Sequence, residues 1–540
     1  MKISKTKDWP FQLWKLGVEN GFRVIRHAKG GNVDYEWARE ISNSRFDLEP
    51  GAVALPKNVE QIALCIRFCN ENDVAFRVRS GGHQHEGMSS LNAGLMIRLS
   101  EHNEIEYVGS DAAWIGVGKP LKEVYDELEL KGKTIPGGGC WAVNVGGLTL
   151  GGGWGTSVRK MGLTCDNVIK AEIITADGRI IVAQEGGQPE DYSDLLWALK
   201  GGGGGNFGVV TRFLFRLHSI KDQAISTFNF QWKEKGNTRA EKEHYLSEIV
   251  SHYLAVQSDF PMELCTVMGL RVRHKFMKTD DGKDHYYPLG MSGKFYGTRV
   301  DLERITAEIR KKFTPDYVEF YPKAGAEATG EVEQQMHSEM ISHVVDRGQM
   351  GLPELDASAS VACQIEQQQL TQTPPPTTTC LAPWPHKISS GFVKGPAVYA
   401  DLAKKAVGIL LDSNEQITDN TARLYMVLHA MPGIRGGVAP NDTAFFWRNN
   451  NFLFQFQAWW AKHSSEADVN VDQERYVRWI ENARETLADQ LEGAFINFVD
   501  KNLPVEAYYG DNLPRLMQLK KKYDPSNRFR FQLSVPLPAD

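Results

Sequence analysis

The sequence predicts an α+β protein of two substantial domains, on three observations. Its 540 residues exceed what one hydrophobic core organises. Short strand and helix patterns alternate from about residue 50 to residue 215, and beyond 216 the texture shifts to longer segments with larger aromatics and fewer glycines. Hydrophobic residues at 42% and charged residues at 24% are ordinary globular values, which argues against a fibrous, disordered or membrane class.

Each element follows from a local signal. AVAL at 52–55 is a strand, and Asn58 caps the helix after it, with Gln61 three residues on to complete a capping box. In that helix Ile62, Cys65, Ile66 and Cys69 share one face, which makes both cysteines core residues. FRVR at 76–79 is β-like and runs into the turn SGGH; LMIRLS and AWIGVG add strands. Pro120 opens a helix whose Leu121, Val124, Tyr125 and Leu128 share a face. VIKAEIITADGRIIV reads as a hairpin turning at Asp177 and Gly178, SDLLWALK as a short helix stopped by Gly201–Gly205, and VVTRFLFRL as a strand. In the second half, QIEQQQLTQTPPPTTT at 364–379 reads as an exposed loop, FLFQFQAWW at 452–460 as a strand, and Glu474 to Leu491 as a helix.

Several functions are disfavoured. The formal net charge is −6 and no basic stretch interleaves with aromatics, so no nucleic-acid partner is assigned. There is no membrane-spanning run and the start, MKISKTKDWPFQLWKLG, does not read as a secretory leader. Seven cysteines without a spacing framework fit a reducing compartment, so a cytoplasmic location is expected. Cys363 and Cys380 flank the polar loop, where exposure and a disulfide are both open. The histidines are scattered and neither CxxC nor GxSxG occurs, so neither a metal site nor a hydrolase is expected. Nothing in the pattern specifies an oligomeric state.

The glycines carry the strongest signal. GGGGGNFG at 201–208 matches GxGxxG through Gly203, Gly205 and Gly208, but a dinucleotide fold needs a strand before the glycines and a helix after them. Here the order is reversed. With GGLTLGGGWG at 146–155 and SGGH, three such clusters favour backbone that approaches a ligand closely, with amides free for phosphate or ring oxygens.

RSGGHQHEGMS at 79–89, PGGGCWAVNVGG at 136–147, GGGWG at 151–155, RKMGLTCDNV at 159–168 and DLLWALKGGGGGNFGVVT at 194–211 resemble the berberine bridge enzyme group of the vanillyl-alcohol oxidase superfamily. The terminal NFVDKNL, AYYGDNLPRLMQLKKKYDPSNRF and QLSVP resemble that group's C-terminal segment. The resemblance implies a PCMH-type FAD-binding domain of two α+β subdomains from residues 1–215, completed by 495–540. It also implies an α+β substrate domain at 216–494, with an antiparallel sheet over the flavin. It implies FAD bound covalently through His83 and Cys140, two nucleophiles suited to an electron-poor ring. Arg79, Ser80, Gly81, Gly82, Gly87, Gly139, Val143, Gly146, Gly147, Gly151, Gly153, Gly208 and Val209 are the other residues it places at the cofactor. A small residue such as Val143 at its position is associated with oxygen access.

By the same resemblance the expected reaction is oxidation of an alcohol or hemiacetal carbon on a sugar, oligosaccharide or glycosylated metabolite, with O2 reoxidation giving hydrogen peroxide. Amine or C–H oxidation in a biosynthetic role, by an oxidase or a dehydrogenase, and a flavin-retaining binding protein stay open as alternatives. One departure matters: the family's NYxD reads Asn497, Phe498, Val499, Asp500 here, and Phe498 cannot take a proton. Gln455 is left as a candidate to orient substrate and His85 as a candidate to line the site or act as base. Trp141 is a candidate wall, Leu148 replaces a common histidine, Asp500 caps a turn, Tyr508 and Tyr509 are packing residues, and Cys165 is structural.

Overall fold

The computed structural model describes residues 8–27, 32–186, 188, 191–273, 286–322, 384–417, 422–431, 437–460 and 466–539. The polar loop at 364–379 and its flanking Cys363 and Cys380 lie outside them.

Asn58 begins the first crossover helix, Val59–Glu71, by accepting from the Gln61 amide at 3.0 Å. The Gln61 side chain reaches back one residue further than a capping box requires, accepting from the Lys57 amide at 2.7 Å. Ile62, Cys65, Ile66 and Cys69 are fully buried, as their spacing predicts. The helix connects strands of a small sheet ordered Arg23–Arg26, Ala52–Leu55, Leu95–Arg98, Phe76–Arg79, in which the last three are parallel. A second sheet is antiparallel throughout: Ile105–Val108, Ala112–Gly116, Val209–Arg216, Val168–Ile174, Ile180–Gln184. Its last two strands form the expected hairpin, turning at Asp177 and Gly178, where Gly178 takes φ +79°.

One hydrophobic core serves both sheets, and the end of the chain returns to it. Leu516, Leu519 and Tyr523 of the helix Leu513–Tyr523 join Ile62, Ile173 and Phe213 in that cluster. Lys520, wholly buried, pairs with Asp524 at 2.7 Å and donates to the Asn206 carbonyl at 2.8 Å, which fixes the tail against the second glycine cluster.

The third sheet has eight antiparallel strands, ordered Tyr317–Tyr321, Ser226–Trp232, Leu289–Phe295, Leu264–Arg271, Ala422–Ala430, Phe452–Trp460, His386–Val393, Leu491–Glu492. Alternation in Phe452–Trp460 sends Phe452, Phe454 and Phe456 into a core shared with the helices Arg239–Val256 and Tyr399–Gln416. Gln455, Gln457 and Trp459 face the opposite way. The helix expected from Glu474 to Leu491 spans Glu466–Thr486: its polar opening turns carry no apolar period, and Leu491 is taken by strand pairing with Val393. The fold is α+β, and among the described residues no helix is long and apolar enough to cross a membrane.

Candidate active site

A cavity of about 760 Å³ lies where the three sheets and the C-terminal segment meet. The strand Phe76–Arg79 delivers the SGGH turn to it. Gly82 there has φ +75°, and a Cβ on it would lie 2.7 Å from Nε of Arg79. The Ser80 hydroxyl donates to the Val117 carbonyl at 2.7 Å, and a Cβ on Gly81 would touch the Asn144 side chain at 2.8 Å. The turn thus lies against the loop that follows Cys140. The segment that leads into Cys140 is held by Tyr125, whose hydroxyl donates to the Gly138 carbonyl at 2.8 Å, and by Gly155, where a Cβ would sit 1.7 Å from the Gly137 carbonyl oxygen. His83 and Cys140 both line the cavity, and Cys140 is an exposed free thiol.

Gly155→Ala should therefore displace residues 137–140. We expect a destabilisation of about 1–3 kcal/mol, the usual scale for an overpacked site. The loss is read from the midpoint of a chemical denaturation curve.

The lining fits a long group with an aromatic part and an anionic part, as FAD has. A Cβ on Gly147 would meet nothing within 4 Å, and the nearest atom to one on Gly204 is 3.7 Å away, so these backbones border open space. Ser89 Oγ, Thr156 Oγ1, Trp154 Nε1 and His429 Nδ1 belong to lining residues, are buried and lack a hydrogen-bond partner in the protein. Arg77 and Arg530 both line the cavity, and burial followed by the Arg530 charge lowers the proton affinity of Arg77. A diphosphate between them would relieve that repulsion.

Of the residues the sequence placed at the cofactor, Ser80, Gly81, Gly82, Gly139, Val143, Gly146, Gly147, Gly151 and Gly208 line this cavity, as do Leu148, His85, Gln455 and Phe498. Four do not. Arg79 is turned away to donate to the Ala38 carbonyl at 3.0 Å, Gly87 packs on Phe46, Gly153 packs on Thr164, and Val209 lies in the core opposite Ile174. Trp141 is not a wall of the cavity either; it lies beneath the Lys122 ammonium, 5.6 Å away. Cys165 is fully buried, and burial pushes its thiol pKa up.

The opposite wall comes from the large sheet. Tyr425 donates to Gln457 Oε1 at 2.6 Å, and Trp459 Nε1 donates to the same oxygen at 2.9 Å. His429 Nε2 and Gln455 Oε1 are 2.9 Å apart. The His386 ring stacks on Trp459, centroids 4.0 Å apart. The Phe498 ring has two imidazole neighbours, with centroids 6.4 Å away for His85 and 5.9 Å away for His429. Burial is the main cause lowering all three histidines, His85 to about 3 and His429 to about 4. They are neutral across the physiological range.

His386, Tyr425, His429, Gln457 and Trp459 escaped the sequence reading. Gln457 and Trp459 were within reach, since alternation puts them on the face of Gln455. The others are delivered by strand register, His386 opposite Trp459, Tyr425 opposite Gln457 and His429 opposite Leu453, which no local pattern encodes. Behind the cavity a buried charge cluster also went unseen. Lys387 Nζ lies 2.5 Å from both Glu86 and Asp500, and Arg45 holds the other Glu86 oxygen at 2.6 Å. Among the described residues no group of three or more His, Cys, Asp or Glu is placed to hold a metal ion.

Residues 50–184 match the FAD binding domain family, and residues 494–536 match the family described as berberine and berberine like. An uncharacterized FAD-linked oxidoreductase of Bacillus subtilis, YgaK, is 28% identical over 93% of this chain and 95% of its own. Chitooligosaccharide oxidase superposes with a TM-score of 0.74 at 22% identity, covering 97% of this chain and 98% of its own. The glucooligosaccharide oxidase of Acremonium strictum does so with 0.75 at 20% identity, covering 97% and 98%.

Proposed function

We propose that this chain, a berberine bridge enzyme-like FAD-linked oxidoreductase, tethers its FAD through His83 and Cys140 and oxidises the CH–OH carbon of a sugar-like or glycosylated small molecule. The observation that carries the reading is the meeting of both nucleophiles on one cavity whose facing wall is aromatic and amide-bearing. The structurally similar glucooligosaccharide oxidase is described as carrying a 6-S-cysteinyl, 8α-N1-histidyl FAD, which supports the same pair of bonds here.

Bound FAD supplies a two-electron acceptor for the hydride of the carbinol carbon. The protein's own residues do the rest. Trp384, Trp459 and Tyr425 present flat apolar faces, and Gln455 with Gln457 present amides, a mixture that binds and orients a polyhydroxylated ring. The large sheet forms one wall of the cavity and so keeps water from that side of the reacting carbon. Val143 also lines the cavity, and its small side chain leaves the approach for O2 that an oxidase needs.

The test is anaerobic loss of the yellow flavin absorbance, followed by oxygen uptake and peroxide formation, with a panel of mono- and oligosaccharides, aromatic alcohols and amines. We expect bleaching by CH–OH donors and stoichiometric peroxide when air is admitted. Bleaching by amines alone, or by nothing in the panel, overturns the reading.

A further inference from the structure

Phe498 lines the cavity without a group that can take a proton, and the hydrogen bonds around His85 point to one that can. His386 Nδ1 lies 2.9 Å from the Trp384 carbonyl oxygen, which can only accept, so Nδ1 carries the hydrogen. His386 is neutral, so its Nε2 holds a lone pair. That lone pair faces Nδ1 of His85 at 3.0 Å, and the hydrogen between them must therefore belong to His85. A neutral imidazole has one N–H. Nε2 of His85 is left as a bare acceptor on a residue that lines the cavity beside Phe498.

The two histidines are also held at the backbone. Asn43, fully buried, donates to the His85 carbonyl at 2.6 Å and the His386 carbonyl at 3.0 Å, and accepts from the His386 amide at 3.1 Å. The stack of His386 on Trp459 fixes the ring plane. His429, the other imidazole next to Phe498, lacks such a chain: its partner is an amide that can present either end, and its Nδ1 is buried without a partner, the ring against Trp154 with centroids 4.3 Å apart.

We infer that Nε2 of His85 takes the substrate's hydroxyl proton, with His386 as the positioning residue that sets its tautomer and Asn43 holding the two backbones in place; this rests on the alcohol-oxidation reading above. In the step, the O–H bond breaks and its proton passes to Nε2, the C–H bond breaks with its electron pair leaving as hydride to the flavin, and the C–O bond becomes C=O. The groups around His85 are His386, His83, Arg45 and Lys387, the last two paired with Glu86 and Asp500. None of them is an unpaired carboxylate that would hold the proton on His85, so the imidazolium gives it up readily after each turnover.

Stopped-flow flavin reduction and imidazole nitrogen NMR test this on the flavin-loaded protein. His85→Phe should slow reduction by about 10²–10⁴-fold, the range for a lost general base, while the flavin stays attached. His386→Leu should slow it as well, and His386→Gln, whose amide oxygen can still accept from His85, should recover most of the loss. The wild-type rate should be flat from about pH 5 to about pH 9, whereas a phenol base would make it climb toward a pKa of about 10. In ¹⁵N-histidine-labelled protein, the signals missing from His85→Phe should be a protonated Nδ1 and a bare Nε2. A protonated Nε2 overturns the proposal, as does a His85→Phe reduction rate within about threefold of wild type. If no alcohol reduces the flavin, the alcohol reading fails, and the nitrogen spectrum still decides the tautomer.

Discussion

The double substitution His83→Ala with Cys140→Ala is expected to release all of its flavin on acid denaturation, whereas wild type and each single variant stay yellow in the washed pellet. The reason is geometric. The imidazole and the thiol come from turns that contact each other through Gly81 and Asn144, and both open onto one cavity. Either of the two proposed bonds would hold the cofactor alone, so only their joint removal leaves binding to the non-covalent contacts. Intact mass gives the same answer in a second way: one FAD added in wild type and in each single variant, none in the double. A colourless wild-type pellet, or a wild-type mass equal to that of the bare polypeptide, would sink the tether assignment.

Lys387→Ala should cost about 3–5 kcal/mol, the loss found when one partner of a buried ion pair is removed and its counter-charge is stranded. Lys387 is fully buried between Glu86 and Asp500, and Arg45 compensates only Glu86. Glu86, Lys387 and Asp500 come from separate stretches: the segment after the SGGH turn, the large sheet and the C-terminal segment. The cluster joins the sheet over the cavity to the cofactor side, so its loss should appear in the thermal midpoint as a fall of about 3–4 °C. Lys387→Met with Asp500→Asn removes one charge of each sign, leaves Arg45 with Glu86, and should recover most of that fall. A midpoint within about 2 °C of wild type for Lys387→Ala would show that the cluster does not carry the join.

The paired site reading was legible in the sequence for a physical reason. Glycine at Gly82, Gly203 and Gly205 is demanded by backbone at φ +75°, +83° and +72°, and such demands are local, so they leave local marks. The same is true of the Asn58 cap and of the buried face of Val59–Glu71. Arg79, Gly87, Gly153 and Val209 were read into the site because they sit in the same motifs. A motif also contains the residues that shape its turn from behind, and only the burial of Arg79 against Ala38 or of Gly153 against Thr164 separates the two kinds.

By itself, then, the chain's sequence determined the α+β class and the likeness to FAD-linked oxidoreductases, and it singled out His83 and Cys140 as the proposed tethers, because each is written in residues close together along the chain. Only the tertiary structure decided which side chains surround Phe498. His85 and His386 are 301 residues apart, and strand register within the large sheet, together with the Asn43 clamp, brings their nitrogens to 3.0 Å. A hydrogen bond across that span depends on the packing of whole sheets, and its consequence, an imidazole with a fixed tautomer and a bare nitrogen, has no signature in either neighbourhood alone.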